Sequence, residues 1–390
     1  MKKQIRSLDH EQLQSVVDGY GEKSFRAKQL YEWVHKRRID DWSLATNLSK
    51  DFRNRLSEEY SIDPLKVIKK QVSSDGGTAK FLFELEDGET IESVWMHYRH
   101  GDSICVSSQV GCRMGCSFCA STIGGLVRNL TPAEMLSQVY DIERDIYREH
   151  TDDRASMSDD VVNSTKEMND VPASRGFVSS VGGEGKTGEG HIGSIIVMGM
   201  GEPFDNYDNL ISFIRLLTDK DGRNLSARGV TVSTCGIPDG IRRLADEDLP
   251  ITLALSLHAP NDDIRRRIMP IAKVHPMDEV FGACREYFSK TGRRITFEYS
   301  MISGINDTAD AARELAKRCD SLRKAGCMLH VNLIPLNEVS ETGLHRAGAD
   351  NIQRFRKVLE DSGITVTVRR EMGAGIDAAC GQLRHKEKRV

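Results

Sequence analysis

Cys112, Cys116 and Cys119 stand in the run GCRMGCSFC, spaced Cys-x3-Cys-x2-Cys. Such a run lets one loop present three thiolates to one inorganic group. Iron–sulfur clusters are held by cysteine thiolates, and a cubane of four irons needs a ligand for each iron. Three cysteines leave one iron open, and an open coordination position is where a metal site does chemistry. A structural or electron-carrying cluster would want a fourth cysteine nearby, yet the next on the C-terminal side is Cys235. The alternatives are a zinc knuckle and three unrelated buried thiols. Zinc sites favour paired Cys-x2-Cys knuckles with a fourth Cys or His, so the cluster reading leads.

At 390 residues the chain has room for one large α/β domain and a smaller one. No apolar run is long enough to span a bilayer. The start, MKKQIRSLDHEQ, lacks the apolar core of a secretory signal. Nine cysteines, an odd number, point to a reducing cytoplasm and to metal or catalytic roles for some of them. The net charge of −4 does not announce nucleic acid. Residues 151–190 alone hold eight acids and four bases, however, so the rest is about neutral and its basic residues can cluster locally.

Three parts are expected. Residues 1–60 read as a small helical domain, with Phe25, Leu30, Trp33 and Val34 on one apolar face and Leu44, Leu48, Phe52 and Leu56 on another. Around them lie Lys23, Arg26, Lys28, Lys36, Arg37, Arg38, Lys50, Arg53 and Arg55, which form either a solvated face or a nucleic-acid face. Residues 61–100 read as a short β linker region carrying Glu92. From 101 to 390 strands alternate with helices. Strands are expected at 103–108, 193–199, 229–235, 251–257, 294–300 and 328–334, with a further one at 364–370. Helical patterns lie at 132–149, 207–219, 239–248, 277–289, 308–324 and 350–361. The fold class is therefore α/β, with a parallel sheet curved into a partial (βα)6 barrel whose sites sit at the C-terminal ends of the strands. Residues 151–190, rich in Ser, Asp and Gly and without periodicity, read as a disordered surface insertion.

Other motifs fall at the same rim. Gly199-Met200-Gly201-Glu202-Pro203 follows the second barrel strand. Glycine admits a close ligand and a carboxylate accepts bonds from an ammonium group, although alone the run could be a tight turn. Ser233 closes the third strand, Ser256-Leu257-His258 the fourth, and Asn337 follows the sixth. Singly, each suits a loop hydrogen bond; together they suit a ligand. Cys105 and Cys380, taken alone, read as buried hydrophobes, and Glu92 as a solvent-facing carboxylate.

The runs CVSSQVGCRMGCSFCA, GMGEP, SLHAPND (256–262), VNLIPLN (331–337) and IDAACGQL together resemble the RlmN/Cfr family of radical S-adenosylmethionine (SAM) enzymes, which methylate adenine carbons in RNA. Phe118 also fits the pattern. The resemblance covers almost the whole chain outside 151–190, and KSFRAKQLYEW is similar to the family's helical RNA-binding domain. It implies a [4Fe–4S] cluster on Cys112, Cys116 and Cys119. It also implies SAM, two per turnover, held by Gly201, Glu202, Ser233, Ser256, Leu257, His258 and Asn337.

Carbons 2 and 8 of adenine are electron-poor and cannot attack the SAM methyl as nucleophiles, so a radical route is needed. In the family, one SAM methylates a cysteine, matched here by Cys380. A radical from a second SAM takes hydrogen from that methyl, and the resulting methylene radical adds to the ring carbon. A base, matched by Glu92, removes the ring proton. Cys105 then attacks the sulfur of Cys380 and releases the methylated RNA, leaving a disulfide.

The implied partners are 23S rRNA, tRNA and an electron donor such as flavodoxin or ferredoxin, with no membrane. A cytoplasmic monomer is expected. RNA contacts are expected on the basic N-terminal face and on Arg384, His385, Lys386, Lys388 and Arg389. The run Glu371-Met372-Gly373-Ala374-Gly375 departs from the family pattern, which more often has an arginine near Met372 and an acid near Gly375. Carbon 2 is the expected target. Carbon 8 of the same rRNA adenine, which confers antibiotic resistance, is the alternative, and a non-catalytic iron–sulfur RNA sensor is the reading from another class.

Overall fold

The computed structural model describes residues 2–98, 101–159, 192–339, 341–369, 376 and 381–387. The chain begins with β1 (Lys3–Gln4), α1 (His10–Gly19), α2 (Phe25–Tyr31) and α3 (Lys50–Glu59), and β2 (Tyr60–Ser61) returns to pair with β1. Asp9 and Gln12 form a reciprocal capping box on α1. Ser49 caps α3 through the amide of Phe52. Leu30, Trp33, Val34, Leu48, Phe52 and Leu56 are buried as their spacing predicts, but Phe25 and Leu44 are exposed. Phe25 sits at the first turn of α2, where its ring lies under the guanidinium of Arg26 instead of in the core.

The N-terminal helices are pinned to the rest by buried charge. Arg6 donates to Ser137 and to the carbonyl of Ile39. Arg38 and Arg223 share the buried carboxylate of Glu143. Arg38, expected on the basic face, therefore fastens that face to the barrel. Lys23, Lys28, Lys36, Arg37 and Lys50 remain exposed.

The described residues form a ten-stranded sheet. Its antiparallel end is β3 (Lys66–Val72), β4 (Thr78–Glu84) and β5 (Thr90–Tyr98). These strands are not a separate linker. β5 pairs antiparallel with β6 (Gly101–Cys105), continuing the hydrogen-bond ladder at the open edge of the parallel sheet. After β6 come the short strands β7 (Gln109–Gly111) and β8 (Leu126–Asn129), which pair only with each other. They frame the cysteine loop. Helix α4 (Pro132–Asp159) follows.

The barrel continues through β9 (Ile192–Val197), α5 (Tyr207–Thr218), β10 (Val230–Thr234), α6 (Pro238–Ala245), β11 (Thr252–Ser256), α7 (Asp262–Ile268) and α8 (Met277–Thr291). Then come β12 (Ile295–Met301), α9 (Ala309–Lys324), β13 (Leu329–Pro335), α10 (Ala349–Asp361), β14 (Thr365–Val368) and α11 (Gln382–Glu387). Strands β6 and β9 to β14 pair in parallel in that order. This is the α/β partial barrel with one added strand that the alternating pattern calls for, with strand bounds within three residues of those expected.

One boundary differs. Residues 151–159 belong to α4 and are not the start of a disordered insertion. A nucleated helix propagates cheaply through polar residues that show no apolar stripe. The remainder of the expected insertion lies outside the described residues.

Candidate active site

The cysteine loop is built by glycine and by backbone bonds. Gly111 has φ +79°, and a Cβ there would stand 1.9 Å from the carbonyl oxygen of Gly125. Only glycine lets the strand turn into the loop so close to its partner. Cys112 N–H donates to that same oxygen at 3.0 Å, and Ser117 N–H donates to the carbonyl of Ile268 at the end of α7 at 2.9 Å. Thr122 Oγ1 donates to the carbonyl of Cys119. Arg113 grips Asp205 through Nε at 2.8 Å and through Nη2.

Cys112, Cys116 and Cys119 line a cavity of about 260 Å³, together with Gly201, Glu202, Ser233, Ser256, His258 and Asn337. Burial pushes the Cys112 thiol up to about 12 and raises that of Cys116 as well. Such thiols ionise only when a metal compensates them. Among the described residues, three donor atoms approach within 4.8 Å of one another only at His10, Asp219 and Asp221, which join α1 to the loop after α5. A single zinc with Zn–S of about 2.3 Å would draw its thiolates to roughly 3.8 Å apart. The thiols of Cys112, Cys116 and Cys119 do not all lie within 4.8 Å of one another.

The rim residues divide into those open to the cavity and those committed to the protein. Ser233 and Ser256 share a hydrogen bond of 3.1 Å between their hydroxyls. His258 has φ +55°. Its Nδ1 accepts the amide of Ser300 at 2.9 Å, which leaves the proton on Nε2. Burial, with the Arg265 charge nearby, holds its pKa down at about 3, so the ring is neutral. Phe118 meets that ring edge-on with centroids 4.9 Å apart, linking the cysteine loop to the fourth barrel strand.

Glu202 lines the cavity and is also engaged by the protein. Its carboxylate is 3 % exposed and accepts from Phe204 N, Thr234 Oγ1 and Cys235 N at 3.1, 2.7 and 2.7 Å. It fixes the turn and the end of β10. The glycines of that run also have a protein reason. A Cβ on Gly199 or Gly201 would come within 2.6 Å of Val106 or Gln109. Leu257 is fully buried and does not line the cavity. Only its backbone takes part, through a carbonyl that accepts from Arg265.

Glu298 and Arg369 line the cavity and were not singled out from sequence. Glu298 is 5 % exposed, and burial raises its pKa while Asn332 donates to it at 2.8 Å. A lone carboxylate in the apolar run RITFEYS was the available signal.

Glu92 is not solvent-facing; it is 2 % exposed. Lys80, fully buried, meets its Oε2 at 2.8 Å. The same oxygen accepts Gly381 N–H at 2.7 Å, and Oε1 accepts Arg384 N–H at 2.7 Å. Glu92 thus caps the first turn of α11 from the neighbouring sheet. Gly381, with φ +81°, lies against Ser121, whose amide a Cβ would approach to 2.6 Å.

Ser121 is two residues past Cys119, so the turn that follows Cys380 in sequence is seated between Glu92 and the cysteine loop. Cys380 itself lies outside the described residues, as do the run 371–375, the side chain of Lys386, and Lys388 and Arg389. Cys105 is buried on β6, paired across from Val94 of β5. Arg384, expected on an RNA face, is instead buried against Glu89 at 2.8 Å. Its backbone is taken by Glu92, and the α11 turn draws the side chain inward.

Comparison with known proteins agrees with this geometry. The model of the ribosomal RNA large subunit methyltransferase N-terminal domain matches residues 3–62, and that of the radical SAM superfamily matches 185–319. The chain is 46% identical over 380 residues to a probable dual-specificity RNA methyltransferase RlmN of Lachnoclostridium phytofermentans, covering 97% of this chain and 94% of that one. The protein with the same description from Bacillus cereus is 43% identical over 388 residues, with 100% and 95% covered. The crystal structure of a radical SAM methyltransferase from Sphaerobacter thermophilus superimposes with a TM-score of 0.82 at 37% identity, covering 97% of this chain and 98% of that one.

Proposed function

The chain belongs to the RlmN family of radical SAM RNA methyltransferases, and on that premise we propose that it methylates carbon 2 of an adenine in 23S rRNA, with tRNA as a second substrate. Cys112, Cys116 and Cys119 would hold a [4Fe–4S] cluster, and the rim of Ser233, Ser256, His258 and Asn337 with Gly201 and Glu202 would hold SAM. Together these would supply one-electron cleavage of a sulfonium, with two SAM consumed per turnover. The chain's own groups do the rest. Cys380 carries the methyl group. Glu92 receives the ring proton on Oε1, which accepts the Arg384 amide and keeps a second lone pair. Cys105, at the C-terminal end of β6, attacks the Cys380 sulfur of the adduct: the S–S bond forms as the S–CH2 bond breaks, and the departing carbon takes the electron pair and a proton to become the methyl group.

The observation that supports this reading best is the position of Gly381. The residue after Cys380 is bonded to Glu92 and packed beside the cysteine loop. An electron carrier or an iron sensor has no use for a tail anchored there. The exposed lysines of the N-terminal helices give RNA a phosphate-binding face, with salt-dependent affinity.

No helix among the described residues is long and apolar enough to cross a membrane. We take the enzyme to be a cytoplasmic monomer reduced by a flavodoxin- or ferredoxin-type donor. Mass spectrometry of RNA from a strain lacking the gene tests the proposal. Loss of 2-methyladenosine is expected; its persistence, or loss of an 8-methyl product instead, overturns it.

A further inference from the structure

The N-terminal helices meet the barrel at a second junction, which the reaction does not use. His10 is the first residue of α1, where the capping box of Asp9 and Gln12 fixes the turn. Its ring stacks on that of Tyr31 from α2, with centroids 3.6 Å apart and planes at 17°. Across the junction, Asp219 caps the C-terminal end of α5, and Asp221 follows two residues later. Nε2 of His10 stands 3.5 Å from an oxygen of Asp219 and 3.8 Å from one of Asp221.

Those distances are too long for good hydrogen bonds. Nε2 is covered and has no hydrogen-bond partner among the described residues, where neither carboxylate pairs with a lysine or an arginine. The same distances suit ligands of one ion. Around tetrahedral zinc, with bonds of about 2.0–2.2 Å, ligand atoms lie roughly 3.3–3.5 Å apart. The three donor atoms here all fall within 4.8 Å of one another.

A separate observation points the same way. Tyr31 is 1 % exposed, yet its hydroxyl has no hydrogen-bond partner among the described residues. It lies against the acidic loop, where a Cβ on Gly222 would stand 3.4 Å from it. Burial first, and the Asp219 charge second, raise its pKa. A buried donor beside a carboxylate is the outer support that metal ligands use. The loop is also held in place. The carbonyl of Asp219 accepts the amides of Gly222 and Asn224, both at 3.1 Å, and its Oδ1 accepts that of Asp221 at 2.8 Å. Arg223 pins the loop to Glu143 and to the carbonyl of Ile192.

We propose that His10, Asp219 and Asp221 bind one zinc ion, which fastens α1 to the loop after α5 and so fixes the N-terminal helices on the barrel. Calcium and magnesium take oxygen ligands, whereas an imidazole nitrogen selects a later transition metal. Asp221 is exposed, so water can take the fourth position. None of the three residues lines the cysteine cavity, and the site needs neither cluster nor SAM.

Calorimetric titration with zinc tests the site in reconstituted protein replete in iron and sulfide, whose cysteine loop is already occupied. One equivalent should bind and raise the unfolding midpoint. Asp221→Asn and His10→Gln should each weaken binding by about tenfold or more. Glu11→Gln, at an exposed acid of α1, should leave it unchanged. The zinc absorption edge should show nitrogen and oxygen neighbours only. No binding by wild type, equal binding by wild type and D221N, or sulfur around the zinc would each overturn the proposal. Should the cluster not load, the triple variant C112A/C116A/C119A takes the place of wild type: one zinc bound there supports the site, and none refutes it. Iron and sulfide content reports on the cluster separately, so failure of the functional reading and failure of this site are distinguishable.

Discussion

The cysteine rim and the Glu92 clamp lie on adjacent parts of one sheet, yet they manage charge in opposite ways. At the rim, burial keeps ionisable groups neutral: the Cys112 thiol is pushed up to about 12 and the His258 ring down to about 3. At the clamp, an ammonium and a carboxylate stand in full ion-pair contact at 2.8 Å, with two backbone amides on the same carboxylate. The rim is built to receive charge from a cofactor. The clamp is already satisfied and serves to hold α11. One region gains stability on loading; the other is strong only while every member is present.

That contrast can be broken in four places. The largest effect is expected from Cys116→Ala, which removes a thiolate and should abolish methylation and iron–sulfur loading while the clamp stays folded. Iron analysis alongside circular dichroism measures both. Next is Lys80→Met, which strands a buried carboxylate and should cost about 3–5 kcal/mol of stability. Adding Glu92→Leu to it should recover part of that loss in urea unfolding, without restoring activity. If K80M unfolds like wild type, the clamp is not the ion pair described here.

Gly381→Ala is smaller. It forces a side chain into φ +81° and against Ser121, so α11 should loosen by about 1–3 kcal/mol. Limited proteolysis near the C-terminus should quicken, and methylation should fall with iron content unchanged.

The smallest effect is on pH. His258 is neutral in the fold with a pKa of about 3, against about 6.5 when unfolded. Between those values the unfolded chain binds more protons, so stability rises with pH. The contribution is complete above about 6.5 and is lost as pH falls towards 3. Replacing His258 by Asn should flatten that slope by on the order of 2 kcal/mol between pH 7 and 5, read from unfolding midpoints.

Much of this was legible beforehand. The strand–helix alternation gave the parallel order of β6 and β9 to β14, because β-branched runs and helical periodicity are local signals. The cysteine spacing gave the rim. Three assignments needed the third dimension. Glu202 reads as an ammonium acceptor, and the fold adds that its carboxylate ties down the end of β10 through Thr234 and Cys235. Arg384 reads as a surface base but is drawn inward, because Glu92 captures the amide of the same residue. Phe25 reads as core but lies outside, because its helix starts one turn too early to bury it.

By itself the sequence determined the kind of chemistry: how many thiols reach a metal, in what spacing, on a loop after which strand. Such facts follow from short stretches of chain, whose covalent spacing limits which atoms can share one centre. The tertiary structure decided which distant residues answer to one another. Glu92 and Gly381 are 289 positions apart, and only the register of β5 against its neighbours, with α11 folded back onto the sheet, brings a carboxylate to that amide. Long-range pairing of this kind is fixed by how whole elements pack, and no local pattern encodes it.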